Sequence, residues 1–261
     1  MPADLSPIDK AKFLAAKRAI DFVEDGMKLG LGTGSTAAWM VRCLGERIRE
    51  EGLRVVGVPT STRTAQLARQ VGVPISTLDE VKWLDLTIDG ADEFDGNLNL
   101  IKGGGAALLQ EKIVATASDQ MIVIADAAKD VTQLGAFPLP IEVIPFGWQT
   151  TKALVEETLV SLDVLNRDVT LRMNGAAPLV TDEANYILDL HLKRIGNPRQ
   201  LALVLNQIPG VVENGLFIDI CDIVVIGHGD GRVTVRDINS GEEHDDRVEF
   251  APSDNVFADL D

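Results

Sequence analysis

The segment from Asp89 to Glu111 constrains the fold of this chain most, because it joins a strand end, a glycine turn and a helix. Just before it, Leu84, Leu86 and Ile88 alternate with polar residues, and this period of two predicts a short β-strand. Asp89 ends that strand. Open α/β sheets bind ligands at the carboxyl ends of their strands, so we expect Asp89 at a binding edge.

The glycine turn consists of Gly103, Gly104 and Gly105, which follow Lys102 and lead into a predicted helix over residues 106–117. Consecutive glycines expose backbone N–H groups, and the N-terminus of a helix favours negative charge. The turn therefore suits an anionic ligand.

Glu111 lies on an apolar face of this predicted helix, together with Ala107, Leu108, Val114 and Ala115. A carboxyl group is out of place in a hydrophobic core. Burial would raise the pKa of the Glu111 carboxyl, and a carboxylate with a raised pKa is suited to act as a general base.

A second glycine turn, GTGST at residues 32–36, joins a predicted strand over 27–31 to a helix that ends near Glu50. Strand, glycine turn and helix are typical of phosphate binding, with Thr33, Ser35 and Thr36 as donors. The turn has neither the GK[ST] of a Walker A loop nor the spacing of a dinucleotide fingerprint. A capped turn without a ligand explains the same residues equally well.

Further polar clusters follow other predicted strands. The hydroxyl-rich run at residues 60–64 lies between a strand over 54–58 and a helix over 64–71. Asp126 and Lys129 follow a buried strand over 121–125. Because these junctions lie at strand carboxyl ends of one βαβαβ series, we expect them to meet at one edge of a sheet.

The α/β rhythm stops at the proline-rich run 137–140, which predicts a domain boundary. The pattern beyond it predicts the order βαββαβ, a ferredoxin-like unit that we interpret as a lid or an interface without chemistry of its own. An apolar strand over 222–227 then suits the first sheet, which makes the smaller domain an insertion. The predicted domains are therefore 1–134 with 221–236, 135–220, and an acidic, mobile tail at 237–261.

Composition excludes several classes of protein. A net charge of −16 argues against nucleic acid as a partner. The chain has no run of eighteen apolar residues for a membrane span, and its start lacks the pattern of a secretion signal. Two cysteines and three histidines are scattered without the spacing of a zinc site. We expect a soluble cytoplasmic protein with no membrane partner.

Three interpretations compete for the central segment. Its carboxylates at positions 89, 92, 93 and 95 are of the type that Mg²⁺ prefers, although the spacing of an EF-hand fails. The segment could also be an acidic surface turn without a ligand. The third interpretation is proton transfer next to a carbonyl group.

The third interpretation gives each polar residue a role. Glu111 is the base, and Lys102 stabilises an enediolate oxygen. Asp89 and Asp92 hold sugar hydroxyls, and their mutual repulsion tends to keep one of them protonated. With a phosphate on the GTGST turn, this set describes a phosphosugar isomerase that needs no metal.

Seven motifs together make the chain resemble the type A ribose-5-phosphate isomerases. They are GLGTGSTA at 30–37, DGADE at 89–93, KGGGAAL at 102–108, EKI at 111–113, IADAAK at 124–129, FPLPIEVIP at 137–145 and IPGVVENGLF at 208–217. The resemblance runs from the first helix to about Arg236. It implies an α/β fold, a Rossmann-like open-sheet domain with an inserted smaller ferredoxin-like α+β domain.

The resemblance also implies an activity, the interconversion of ribose 5-phosphate and ribulose 5-phosphate through an enediolate, without cofactor or metal. It implies Glu111 as the proton acceptor, with Lys102, Asp89 and Asp92 in the roles given above. The implied contacts to the phosphorylated pentose are Lys12, Thr33, Gly34, Ser35, Thr36, Asp89, Gly90, Ala91, Asp92, Lys102, Gly103, Gly104, Gly105 and Lys129. The resemblance further implies a homo-oligomer, either a dimer or a tetramer, whose subunits associate through the smaller domain.

Other proteins of the same fold class would differ at particular residues. A ligand sensor would be expected to lose the base Glu111, and a CoA-transferase-like relative would need room for a long nucleotide. An amino-sugar deaminating isomerase would want a ring-opening histidine, and the first histidine of this chain is His191. Retention of Glu111, Lys102 and both aspartates favours the isomerase. The acidic tail and residues 164–185 depart from the family pattern.

Overall fold

A computed structural model describes residues 5–249 of the chain. Its helices are α1 (Pro7–Ile20), α2 (Ser35–Glu51), α3 (Thr62–Gln70), α4 (Leu78–Val81), α5 (Leu108–Thr116), α6 (Trp148–Leu159) and α7 (Pro198–Leu205). Its strands are β1 (Lys28–Leu31), β2 (Val56–Pro59), β3 (Leu86–Gly90), β4 (Glu93–Phe94), β5 (Leu100–Ile101), β6 (Met121–Asp126), β7 (Leu139–Val143), β8 (Asp168–Leu171), β9 (Met173–Asn174), β10 (Ala177–Pro178), β11 (Tyr186–His191), β12 (Val211–Asn214), β13 (Leu216–Phe217), β14 (Ile223–Gly227), β15 (Arg232–Asp237) and β16 (Glu243–Arg247). Within these described residues, no helix combines the length and apolar character needed to cross a membrane.

The chain divides into two compact units. Among the described residues, the larger unit holds 5–90, 113–129 and 220–249, whereas the smaller unit holds 91–112 and 130–219. These bounds differ from the predicted domain bounds, because residues 91–112 group with the smaller unit. The chain therefore enters the smaller unit directly after strand β3, before it reaches the proline-rich run.

The larger unit is built on a seven-stranded sheet with the order β16-β15-β14-β6-β3-β1-β2. The five strands from β2 to β14 are parallel, and β15 and β16 are antiparallel additions. The Rossmann-like open sheet is thus confirmed, as is the return of the apolar strand β14 to it. The strand order reverses at β1, which has β2 on one side and β3 on the other. Ligands of such sheets bind at this reversal.

Helix α1 has a capped N-terminus. The Ser6 side chain accepts a hydrogen bond from the Asp9 N–H at 3.1 Å, and Pro7 occupies the first turn. On its buried face Phe13 makes an edge-to-face contact with Trp39 of α2, with 5.7 Å between ring centroids. This packing positions the start of α2 beside the sheet.

The predicted tail is wrong in its first part. Residues 243–247 form β16, which pairs with β15, so this acidic stretch is the outermost described strand of the sheet. Arg18 of α1 donates to Asp246 at 2.8 Å, and Thr234 donates to Asp245 at 2.6 Å. Cross-strand and ionic contacts thus order a segment that lacks apolar alternation. Residues 250–261 lie outside the described part of the chain.

The smaller unit contains a four-stranded antiparallel sheet with the order β12-β7-β11-β8. With α6 and α7 in the chain order βαββαβ, this is the predicted ferredoxin-like unit. The last strand of this order is interrupted at Gly215. Its first half, β12, pairs with β7, and its second half, β13, pairs with β5 in a separate three-stranded sheet.

Strand β7 carries a buried carboxyl group, Glu142, which is fully inaccessible to solvent. Its Oε1 accepts hydrogen bonds from Thr181 at 2.8 Å and from Asn185 at 3.0 Å. Burial raises the pKa of Glu142, and the negative charges of Glu183 and Asp182 act in the same direction, while the two hydrogen bonds oppose it. The folded unit therefore favours the protonated carboxyl more than the unfolded chain does.

This raised pKa predicts a pH-dependent stability. The contribution is fully present below the unfolded pKa and is lost as the pH rises through the higher folded pKa. We expect Glu142→Gln, which cannot ionise, to show a shallower loss of unfolding free energy than the wild type as the pH rises above the pKa of a glutamate in the unfolded chain. Urea unfolding at a series of pH values measures this. The control is Glu157→Gln on the exposed side of α6, and identical slopes for Glu142→Gln and wild type would contradict the prediction.

Candidate active site

The turn after β1 is held by a cluster of hydroxyl groups in the larger unit. The Thr33 Oγ1 lies 2.7 Å from Thr60 Oγ1, 2.8 Å from Ser61 Oγ and 3.1 Å from Thr64 Oγ1, and all four residues are buried. Thr64 also donates to the Gly32 carbonyl at 3.0 Å. The predicted meeting of the β1 and β2 junctions is confirmed. The Thr33 hydroxyl is hydrogen-bonded to these buried hydroxyl groups, and the contacts fix the turn.

Asp89 is fully buried at the end of β3. Its Oδ1 accepts hydrogen bonds from the Thr33 N–H at 3.0 Å and the Gly90 N–H at 2.7 Å. A Cβ atom on Gly32 would lie 2.0 Å from this oxygen, so only glycine fits at position 32. The carboxylate and the GTGST turn therefore hold each other in place at the strand-order reversal.

The N-terminus of α2 follows this turn. Gly34 is its N-cap, with φ of 121°, and it has no side chain that could cap the first amides of the helix. Ser35 is exposed and Thr36 is partly exposed, and the Lys12 Nζ donates to Ser35 Oγ at 3.0 Å. The structure thus brings Lys12 to the turn. It places Lys129 at the end of a 3-10 turn directly after β6.

In the smaller unit, Lys102 and Glu111 form an ion pair with 3.4 Å between Nζ and Oε1. Their side chains are only 2% and 3% exposed, so Glu111 is buried as its apolar helix face predicts. The Lys102 N–H donates to the Gly215 carbonyl at 2.9 Å, and its ammonium lies 5.5 Å from the centre of the Phe217 ring. Removing two charges from water costs free energy that offsets their attraction, so a buried ion pair contributes little to stability. The pair therefore points to function.

The neighbouring Lys112 has a different partner, although it also contacts Phe217 at 4.9 Å. Its Nζ donates to Glu213 at 2.8 Å and to the Asn214 carbonyl at 2.6 Å. Burial lowers the pKa of Lys112, and the charge of Glu213 opposes this. The aromatic ring of Phe217 thus lies against two lysines that have separate carboxylates. Sequence reasoning did not single out Phe217, because an aromatic residue in a strand is typical of a core.

The glycine turn is folded against Asp92. The Asp92 Oδ2 accepts a hydrogen bond from the Gly104 N–H at 2.7 Å. Gly103 has φ of 104° and Ala106 has φ of 59°, both left-handed conformations. The Ala106 conformation is incompatible with a helix, and so α5 begins at Leu108, two residues later than predicted.

The other acids of the central segment hold loops. The Glu93 carboxylate accepts hydrogen bonds from the backbone N–H groups of Gly135 and Phe137. The Asp95 Oδ1 accepts from the N–H groups of Asn97 at 2.9 Å and Asn99 at 3.0 Å. These partners explain both carboxylates without a cation. Over residues 5–249, no group of three or more His, Cys, Asp or Glu is arranged to hold a metal ion.

Comparison with known proteins decides the family. The model of the family described as ribose 5-phosphate isomerase A (phosphoriboisomerase A) matches residues 56–231. The chain belongs to this family. Ribose-5-phosphate isomerase A of Ruegeria sp. (strain TM1040) is 77% identical over 260 residues, which cover 100% of this chain and 99% of the relative.

Solved structures of the ribose-5-phosphate isomerase A family have the same fold. The protein from Methanocaldococcus jannaschii is 41% identical, with a TM-score of 0.80 over 87% of this chain and 97% of its own. A D-ribose-5-phosphate isomerase in complex with phospho-erythronic acid is 43% identical, with a TM-score of 0.82 over 89% of this chain and 100% of its own. The predicted family and fold class are confirmed, and the chain is an isomerase.

Proposed function

We propose that this chain interconverts D-ribose 5-phosphate and D-ribulose 5-phosphate by proton transfer through a cis-enediolate. The observation that carries the proposal is the buried pair of Lys102 and Glu111, with 3.4 Å between Nζ and Oε1. The pair combines a carboxylate with a fixed positive charge in a dry environment. These are the two groups that removal of a proton next to a carbonyl requires.

In this mechanism Glu111 removes the proton from C2 of the open-chain aldose and returns it to C1 of the enediolate. Because one carboxylate both takes and returns the proton, the reaction runs in either direction. Glu111 is held rigidly for this, since it lies on helix α5 and is only 3% exposed. The raised pKa expected for this carboxyl stays a prediction.

Lys102 stabilises the negative charge that develops on the substrate oxygen. A preorganised charge in a site without water lowers the barrier, because no solvent has to reorient during the reaction. Asp89 and Asp92 hold the hydroxyl groups and move the proton between O1 and O2. The two aspartates are three positions apart in the chain, which favours their acting on one substrate.

The phosphate is assigned to backbone amides and to two lysines. The amides of the α2 N-terminus and of the glycine turn, with Lys12 and Lys129, counter the net charge of −16 locally. A solved relative binds phospho-erythronic acid, which supports a small phosphorylated sugar as the ligand of this chain. The full set of proposed substrate contacts is Lys12, Thr33, Gly34, Ser35, Thr36, Asp89, Gly90, Ala91, Asp92, Lys102, Gly103, Gly104, Gly105 and Lys129.

Turnover of ribose 5-phosphate by EDTA-treated protein tests this function. We expect activity to survive chelation, because the proposed mechanism uses only side chains and backbone groups. Unphosphorylated ribose should be a poor substrate under the same conditions. Absence of activity at every salt concentration would overturn the proposal, and activity lost only on chelation would restore the metal interpretation of the central carboxylates.

We also propose a homo-oligomer that associates through the smaller unit, either a dimer or a tetramer. Exposed apolar side chains in this unit support it, above all Phe146, which is 89% exposed, and Leu165, which is 67% exposed. A solution mass equal to that of one 28.1 kDa chain would contradict it.

A cytoplasmic location is proposed because Cys43 and Cys221 are buried free thiols. Recovery of the protein from a secreted fraction would contradict that location.

A further inference from the structure

Arg172 links the ferredoxin-like sheet of the smaller unit to the glycine turn. On one side its Nε donates to Asp189 Oδ2 at 2.8 Å, and its Nη2 donates to Asp189 Oδ1. This is the two-pronged arrangement that fixes a guanidinium most firmly. Both side chains are largely buried, with 15% and 16% exposure, and Asp189 is itself fixed on strand β11.

On its other side, the guanidinium binds the backbone of the turn. Its Nη1 donates to the Gly103 carbonyl at 2.8 Å and to the Gly104 carbonyl at 3.2 Å. Gly103 and Gly104 stand 69 and 68 positions before Arg172, respectively. A charged donor on a carbonyl oxygen also polarises the N–H of the same peptide group and makes it a stronger donor.

Planarity of the peptide groups gives this contact a direction. In a trans peptide the C=O and the next N–H point in opposite directions, and no described peptide bond is cis. The Gly103 carbonyl faces Arg172, and the Gly104 N–H accordingly points away and donates to Asp92 at 2.7 Å. The Gly104 carbonyl also faces Arg172, so the Gly105 N–H points away from the guanidinium as well.

We propose that Arg172, held by Asp189, is a positioning residue that fixes and polarises the amides of Gly104 and Gly105. The inference rests on the proposed function, since these amides belong to the turn assigned to the substrate. Arginine is required for this role because the five N–H groups of its rigid fork reach Asp189 and two carbonyls at once. The compact ammonium group of lysine cannot span these acceptors.

The test is Arg172→Ala, assayed with and without added guanidinium ion. We expect kcat/KM to fall about tenfold to a hundredfold, the usual effect of losing hydrogen bonds from a charged group. Guanidinium at millimolar concentration should restore part of the lost kcat by occupying the vacated site. Arg172→Lys should remain impaired. The control is Arg199→Ala, because Arg199 also pairs with an aspartate of the smaller unit, Asp219, but both are more than 60% exposed.

Amide hydrogen exchange separates this role from a merely structural one. We expect the Gly104 and Gly105 amides to exchange faster in Arg172→Ala, while the amides of β11 and β7 stay protected. If Arg172→Ala does not fold, amide exchange and kcat are measured on Asp189→Asn instead. This variant removes the negative charge that holds Arg172, with little change of shape.

Three results would overturn the inference. They are wild-type kcat and KM in a folded Arg172→Ala variant, a loss of activity that matches only the unfolded fraction, and unchanged exchange at the two glycine amides. Failure of the wild type to turn over ribose 5-phosphate would instead overturn the proposed function. The exchange experiment would still report on the turn in that case.

Discussion

Replacing Glu111 by glutamine is expected to lower kcat by about a hundredfold to ten-thousandfold, the range that a positioned general base contributes. The amide has nearly the shape of the carboxylate, so the fold and the KM should change little. Steady-state kinetics gives both constants, and incorporation of solvent deuterium at C1 of the ribulose 5-phosphate formed reports the proton transfer directly. That incorporation should disappear with the turnover.

The matched control is Glu213→Gln. Glu213 also pairs with a lysine of the smaller unit, Lys112 at 2.8 Å, and its side chain is 18% exposed. If removal of any paired glutamate destabilised the unit, both variants would lose activity together. A normal kcat in Glu111→Gln would disprove the base assignment.

Replacing Lys102 by methionine is expected to lower kcat by about a hundredfold to a thousandfold, as loss of one preorganised electrostatic donor does. Methionine keeps the length of the side chain and removes the charge. The change also leaves the Glu111 carboxylate buried without its ion-pair partner, a second cost. The effects of Lys102→Met and Glu111→Gln should therefore be strongly non-additive in the double variant.

The kinetic constants distinguish two roles for Lys102. A stabiliser of the enediolate acts mainly in the transition state, so kcat falls. A raised KM with normal kcat would instead indicate plain phosphate binding and contradict the proposed role. Lys112→Met is the matched control, because Lys112 contacts the same Phe217 ring but pairs with Glu213.

Much of the larger unit could be predicted because its signals are local. Period-two alternation before Asp89 and the turn at 32–36 fix strand ends, and the parallel order brings those ends together. The contact between Thr33 and Asp89 at 3.0 Å follows from that topology. The burial of Glu111 followed from a helical face in the same way.

Features that depend on distant partners were not predictable from the sequence. Arg172 lies 69 positions after Gly103, and nothing around it marks it as more than a strand residue. Ala106 adopts a left-handed conformation that alanine rarely takes, so α5 begins two residues later than the sequence predicts. Strand β16 is acidic and lacks apolar alternation, and it is ordered by its pairing with β15 and by the contact of Asp246 with Arg18.

The position of β16 matters for anyone who shortens this protein. Cutting the chain at 237, where the predicted acidic tail begins, would remove the neighbour of β15 and the Asp246 partner of Arg18. The backbone of a strand that buries Val233 and Val235 would then be open to pairing with another chain. Light scattering of the shortened protein would show the result as self-association. Strand β16 thus covers the edge of β15, and its own negative charges disfavour pairing with a further copy of the protein.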